Sequence, residues 1–263
     1  MSELAIVTGA SSGIGLELAR QLAGRGLRVL AVARRRERLD ALAAETKDAV
    51  VPLALDITAA SAPTEIAARA RELGEVGWLV NNAGTTRLGL FVELPAEALA
   101  AIVRLNCEAP VALTAAIAPL MVARKQGRII NVASLAGFQP TPYQAVYGAS
   151  KAFMLSFSEA LAEELRDSGV TVTALCPGPV TTEIFAQMGA VARIKPKHEL
   201  SAEECARYAI EAAEHGRVVA VPGTLNKLSA LSIKLTPRSL VRRVSARVGL
   251  KYIGITALPL KQH

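Results

Sequence analysis

Seven short apolar runs, spaced along 263 residues by stretches of helical periodicity, limit this chain to one kind of architecture. The runs are Leu4–Thr8, Arg28–Ala33, Val50–Leu55, Trp78–Val80, Ile129–Ser134, Val170–Leu175 and Val218–Val221. Each is of strand length, and most are apolar on consecutive positions, as in a sheet buried on both faces. Between them lie amphipathic helices. Leu16, Leu18, Ala19 and Leu22 define one that stops near Gly24–Gly26, and others span about 63–73 and about 95–124, the last expected to break near Pro110. A further helix runs from Tyr147 to about Asp167, and Ser201-Ala-Glu-Glu204 is a capping box opening one to about Glu214. Strands alternating with helices throughout predict an α/β fold, a doubly wound parallel sheet with right-handed crossovers. A composition 51% hydrophobic but only 4% aromatic suits Ala-rich helices laid on such a sheet.

The first strand ends in Gly9-Ala-Ser-Ser-Gly13-Ile-Gly15. Glycines at a strand-to-helix turn let the backbone approach a pyrophosphate, and the following helix offers it unpaired N–H groups. A dinucleotide fold that prefers NAD carries an acid after the second strand, to bond the ribose 2′-hydroxyl. Here that position reads Ala33-Arg34-Arg35-Arg36, with no acid before Glu37. A guanidinium binds a 2′-phosphate, whereas a carboxylate repels it. Arg34, next to the strand end, is the expected phosphate ligand, with Arg35 beside it, and the expected cofactor is NADP(H).

Tyr147 and Lys151 stand four residues apart on one helix, so their side chains share a face. A free phenol, with a pKa of about 10, holds its proton too tightly to act as a base at neutral pH. A nearby ammonium is expected to favour the phenolate and lower that pKa. Ser134 closes the fifth strand, at the sheet edge where α/β folds bind ligands. The tyrosine–lysine spacing alone occurs on many amphipathic helices; the company of Ser134 and the glycine turn sets this one apart. On the same helix Phe153, Phe157, Leu161 and Leu165 form a stripe read as core or subunit contact.

Other classes are disfavoured. Cys107, Cys176 and Cys205 are odd in number and lack CxxC spacing, which argues against a disulfide scaffold and for a cytoplasmic setting. His198, His215 and His263 show no ligand spacing, so no metal is expected. Without a charged n-region, an apolar h-region or an uninterrupted apolar run of membrane length, neither export nor a spanning helix is expected. The net charge of +7 is local. Residues 224–263 hold eight Lys/Arg and no acid, leaving 22 basic against 23 acidic side chains in the rest.

These motifs together resemble the classical short-chain dehydrogenase/reductase family over about residues 3–222. The family's TGxxxGxG falls on Thr8–Gly15, its NNAG on Asn81–Gly84, its tetrad on Asn106, Ser134, Tyr147 and Lys151, and its PG motif on Pro177-Gly178. The resemblance implies a Rossmann-type seven-stranded sheet with helices on both faces, a catalytic domain over 1–223 and a C-terminal extension over 224–263. It implies that Tyr147 exchanges a proton with the substrate oxygen while hydride passes between nicotinamide and substrate. Ser134 would hold that oxygen, Lys151 would bond the nicotinamide ribose, and Asn106 would support a proton-relay water; its bland alternative is a helix-bend residue. The cofactor would touch Gly9, Ser11, Ser12, Gly13, Ile14 and Gly15. It would also meet Arg34 and Arg35 at the phosphate, Asp56 and Ile57 at adenine, Asn82, Ala83 and Gly84 midway, and Pro177, Gly178, Val180 and Thr182 near the nicotinamide, beside Tyr147 and Lys151.

By the same analogy the substrate pocket draws on Ser134, Leu135, Phe138, Tyr143, Tyr147, Phe185 and Met188, with Leu88, Leu90, Phe91 and the basic Arg87 nearby. An apolar lining of this kind favours a lipophilic ketone, ketoacyl or steroid-like substrate. Homodimers or homotetramers are implied. Leu225–Leu235 and Arg238–Val248, parted by Pro237, read as two basic amphipathic helices that either pack on the protein or lie peripherally on an anionic membrane. Nucleic acid is not an expected partner, because no aromatics interleave the charges. Two alternatives stay open: an extended-type epimerase or dehydratase, and a non-catalytic NADP-sensing protein.

Overall fold

A computed structural model describes residues 3–180, 183 and 199–253. Among them, seven strands form one parallel sheet in the order β3-β2-β1-β4-β5-β6-β7. The strands are β1 Glu3–Thr8, β2 Arg28–Ala33, β3 Val50–Ala54, β4 Glu75–Asn81, β5 Gly127–Val132, β6 Val170–Leu175 and β7 Val219–Ala220. The helices are α1 Gly13–Gly24, α2 Arg36–Glu45, α3 Ala62–Leu73, α4 Ala96–Val103, α5 Ala109–Ala123, α6 Ala145–Glu164, α7 Ala202–Glu214, α8 Thr224–Leu235 and α9 Arg238–Ile253. The expected α/β architecture is what forms.

Side-chain alternation along the strands builds two cores, one per face. Ala5 and Val7 of β1 join Leu18 and Leu22 of α1 and Ile210 of α7 on one face. Leu4 and Ile6 join Ile66 of α3 and Leu113, Ile117 and Met121 of α5 on the other. A parallel sheet covered in this way leaves its C-terminal edge open for ligands. The reversal of strand order between β1 and β4 makes a crevice there.

The long helix is interrupted close to Pro110, as expected. Arg104–Glu108 is a π-helical turn that runs directly into α5, and Pro110 sits in the first turn of α5. The whole run Ala96–Ala123 is long and apolar enough to cross a membrane, yet Leu113, Ile117 and Met121 are spent on the core. The α6 stripe divides as well. Leu161 and Leu165 pack on the second core and Phe157 on a smaller one, whereas Phe153 stacks on Phe157 and stays 43% exposed. The capping box forms as read, with Ser201 accepting from the Glu204 amide at 3.0 Å.

A chain of buried amides holds the crevice floor. Asn81 Nδ2 donates to Thr114 Oγ1 at 2.9 Å and to Asn131 Oδ1 at 2.8 Å, and Asn131 Nδ2 donates to Ser158 Oγ at 2.9 Å. This ties the ends of β4 and β5 to α5 and α6. Cutting one link strands a buried polar partner, at a cost of about 1–3 kcal/mol.

Candidate active site

A groove of about 850 Å³ runs along the C-terminal edge of the sheet. Its floor at one end is the glycine turn. Gly9 has φ +68°, and a Cβ there would come within 2.7 Å of Asn82 Nδ2 and 2.9 Å of Ala83 Cα. Only glycine permits that approach. At Gly15 a Cβ would lie 2.5 Å from the Gly9 carbonyl oxygen, so this glycine packs under the turn rather than lining the groove. Asn82 staples the two segments together: its Nδ2 donates to the Thr8 carbonyl at 2.9 Å, and its amide donates to Thr8 Oγ1 at 3.0 Å. Ser11, Ser12, Gly13, Ile14, Asn82, Ala83 and Gly84 line the groove beside it.

The basic corner is built from more residues than anticipated. Arg34 is exposed on the groove rim. Arg35 turns inward instead: its Nη2 donates to Ser11 Oγ and Ser12 Oγ, both at 2.9 Å. Arg38, from the next turn of helix, joins it. The Glu183 carboxylate bridges the two guanidiniums, 2.7 Å from Arg35 Nη1 and bonded also to Arg38 Nη1. This double pairing pulls the Glu183 carboxyl down to about 2. The corner therefore holds an anion already. Asp56 and Ile57 line the adjacent wall; Asp56 Oδ1 accepts from the Thr58 amide at 3.0 Å and from its hydroxyl at 2.8 Å, which keeps the carboxyl ionised.

At the other end Ser134, Tyr147 and Lys151 converge on the groove. Ser134 has extended backbone, and its Oγ accepts from the Ala136 amide at 3.1 Å. The Tyr147 phenol and the Ser134 hydroxyl lie beside each other at this end of the groove. Lys151 is only 5% exposed, donates from Nζ to the Val132 carbonyl at 2.6 Å, and has its ammonium 5.8 Å from the Tyr147 ring centroid.

The electrostatics reverse one expectation. Burial raises the Tyr147 pKa above the usual phenol value, with the neighbouring Ser134 hydroxyl pulling the other way. Burial also lowers the Lys151 ammonium, to about 8. Desolvation disfavours the charged form of each group and is the largest cause of both shifts. The pair therefore rests as a protonated phenol beside a readily deprotonated lysine.

Asn106 sits in the π turn. Its Nδ2 donates to the Thr85 carbonyl and to Ser150 Oγ, each at 3.0 Å, and its Oδ1 accepts from the Thr85 amide at 2.9 Å. It thus clamps the segment after Gly84 to α6. A Cβ on Gly84 would lie 3.3 Å from Asn106 Oδ1 and 3.7 Å from Lys151 Nζ, so the three meet at one point. Pro177, Gly178 and Val180 line the groove opposite; Thr182, Phe185 and Met188 lie outside the described residues.

Two substrate positions fall elsewhere. Leu135 lines the groove, but Phe138 packs on the small core beneath the Lys234 ammonium, and the Tyr143 ring lies against Gly249. In their place the C-terminal helix α9 supplies Val244, Ser245, Val248 and Gly249.

A family model described as short chain dehydrogenase matches residues 3–192. The chain belongs to that family. As a short-chain dehydrogenase it is an oxidoreductase acting on CH–OH groups with a nicotinamide cofactor. It is similar to a short-chain dehydrogenase from Sphingobium yanoikuyae solved in complex with NADPH, at 33% identity and TM-score 0.79 over 99% of this chain and 98% of that one. It is also similar to the bulky-bulky ketone specific alcohol dehydrogenase from Comamonas testosteroni, at 30% identity and TM-score 0.75 over 99% and 96% of the two chains. Among curated relatives, a very-long-chain 3-oxoacyl-CoA reductase from Pyrenophora tritici-repentis is 38% identical over 187 residues, 68% of this chain and 55% of that protein. The chain spans about half the length of that relative.

Three features of this short-chain dehydrogenase escape motif reading. Arg38 looks like one more solvated charge on a helix, and Glu183 sits 148 residues from Arg35. No local pattern marks the α9 valines as groove residues, because their role depends on where the helix docks.

Proposed function

We propose that this short-chain dehydrogenase is an NADP(H)-dependent reductase of lipophilic ketones, with Tyr147 as the proton donor. The observation that carries the cofactor choice is the Arg35–Arg38 corner closed over Glu183. Two guanidiniums that pair with a carboxylate, beside two serine hydroxyls, are a donor set suited to a 2′-phosphate. The glycine turn fits the pyrophosphate, and Lys151 reaches the groove where the nicotinamide ribose would be held. When bound, the cofactor supplies the hydride.

The rest belongs to the protein's own side chains. Ser134 and Tyr147 line the same end of the groove, so a carbonyl oxygen entering between them receives two donors, which polarise it. The raised phenol pKa keeps Tyr147 protonated at neutral pH, ready to give its proton as negative charge develops on that oxygen. The resulting phenolate is stabilised by the nearby Lys151 ammonium. Asn106 fixes the Thr85 backbone and the Ser150 hydroxyl around them, acting by position. The intact Ser134–Tyr147–Lys151 set argues against a sensing role.

The pH profile follows. Lys151 must be an ammonium for its ribose and phenolate contacts, and its folded pKa is about 8. In the cofactor-free enzyme kcat/KM for NADPH should be level below that value, then fall about tenfold per unit well above it. A profile flat to about pH 10 would remove Lys151 from this role.

Glu183→Gln removes the internal anion but not the arginines. NADPH should then bind several-fold tighter with NADH little changed, read by fluorescence titration. No change, or weaker NADPH binding, would separate the corner from the phosphate.

The substrate assignment rests on Leu88, Leu135, Pro142, Val244 and Val248 in the groove wall, and is supported by the ketone named for the Comamonas relative. A series of 2-alkanones and aryl ketones of rising size, assayed with NADPH, should show kcat/KM climbing with apolar bulk. A preference for small hydroxylated or carboxylated substrates would overturn it. We further infer a homo-oligomer in the cytoplasm, supported by the exposed Val103 on α4 and Phe153 on α6, with 1–223 as the catalytic unit and 224–263 as an extension.

A further inference from the structure

Seven of the eleven large hydrophobic side chains exposed among the described residues lie on α8 and α9. Both helices are seated on the body by one face. Ala230 and Val241 are buried, Ser245 Oγ lies 3.3 Å from Gln139 Oε1, and the Lys227 and Lys234 ammoniums cap the rings of Tyr208 and Phe138. Internal packing, the fate expected of an amphipathic helix, is therefore complete, and it leaves an apolar stripe over. On α8 this stripe is Leu225, Leu228, Leu231 and Leu235, at steps of three and four, with Leu228 58% and Leu235 78% exposed. On α9 it continues as Leu240, Val244 and Val248 at steps of four.

We propose that this face docks on an anionic lipid bilayer, leucines inserted and basic side chains at the headgroups. Charge complementarity selects the occupant. Arg238, Arg242, Arg243 and Arg247 are exposed on α9 beside the stripe, and residues 224–263 contain no acid to offset them. A second copy docked through the same patch would set one basic face against another, since a two-fold interface pairs each patch with itself. An anionic headgroup layer over an apolar interior matches both halves of the surface. The stripe is also continuous with the groove: Val244 and Val248 belong to both. Docking in this orientation turns the groove mouth toward the bilayer, a route for lipophilic ketones; this last consequence alone rests on the proposed substrate class.

The test is co-sedimentation of the full-length protein with vesicles of phosphatidylcholine alone or with about a third phosphatidylglycerol. Protein should pellet with the anionic vesicles at low salt, stay in solution with neutral ones, and be released near 1 M salt, where screening shortens to about 3 Å. The pair Leu228→Glu and Leu231→Glu, both outside the groove, should abolish pelleting without changing NADPH binding or the melting temperature. Arg242→Ala with Arg243→Ala should weaken it at low salt. Absence of wild-type pelleting at low salt overturns the proposal, as does pelleting that survives the glutamate pair. Loss of oligomer size in that pair, with no lipid binding by the wild type, assigns the stripe to a second copy instead. Because no readout needs turnover, failure here leaves the ketone-reductase reading standing.

Discussion

Replacing Tyr147 by phenylalanine is expected to lower ketone reduction by about 10²–10⁴-fold, the usual contribution of a positioned acid–base group. The ring stays, so packing and the contact with the Lys151 ammonium survive. What disappears is the only proton on that side chain able to reach a carbonyl oxygen, together with one of the two donors formed by Tyr147 and Ser134. NADPH binding, read by fluorescence titration, should be almost unchanged, because the glycine turn, the basic corner and Lys151 are untouched. Measured as single turnover with NADPH in excess, the defect should lie in the chemical step. A variant that keeps most of its wild-type rate would show that another group, or water, delivers the proton.

The second large effect concerns cofactor choice. Arg35→Asp places a carboxylate beside Ser11 and Ser12, where the guanidinium now donates to both. A charge-assisted hydrogen bond from Arg35 to the 2′-phosphate would be worth about 1.5–3 kcal/mol, so losing it weakens NADPH by at least about tenfold, and repulsion from the new carboxylate adds to it. NADH, which lacks the 2′-phosphate, should lose far less. The informative quantity is the ratio of the two kcat/KM values, and it should swing toward NADH. Arg34→Asp, on the exposed rim, should move the same ratio less. Equal shifts in both variants would mean that the corner acts only through its summed charge.

These two residues also show where sequence reading succeeds. Apolar runs and glycine turns are local signals, and β6 spans the same Val170–Leu175 segment the run predicted. Tyr147 and Lys151 share a helix face because four-residue spacing dictates it. Side-chain reach is not local in that sense. Arg34 and Arg35 are chemically identical neighbours, and only the backbone direction after β2 sends the second toward Ser11. The π turn at Arg104–Glu108 is a slip of one hydrogen-bond register, with no compositional mark except the proline that follows. Phe138 lies in a segment expected to line the pocket, yet its ring is used by the core and by Lys234. Spacing reveals the charge partner of Tyr147 but not the burial that raises its pKa.

The central claim is that this groove carries hydride from NADPH to a carbonyl carbon while Tyr147 protonates the oxygen. The most direct measurement uses NADPH deuterated at the transferred position of nicotinamide C4, with the best ketone of the size series. Mass spectrometry of the alcohol should find one deuterium on the carbinol carbon with the wild-type protein, and almost no alcohol with Tyr147→Phe. Alcohol formed without the label, or NADPH bound with no ketone reduced across the series, would contradict the account.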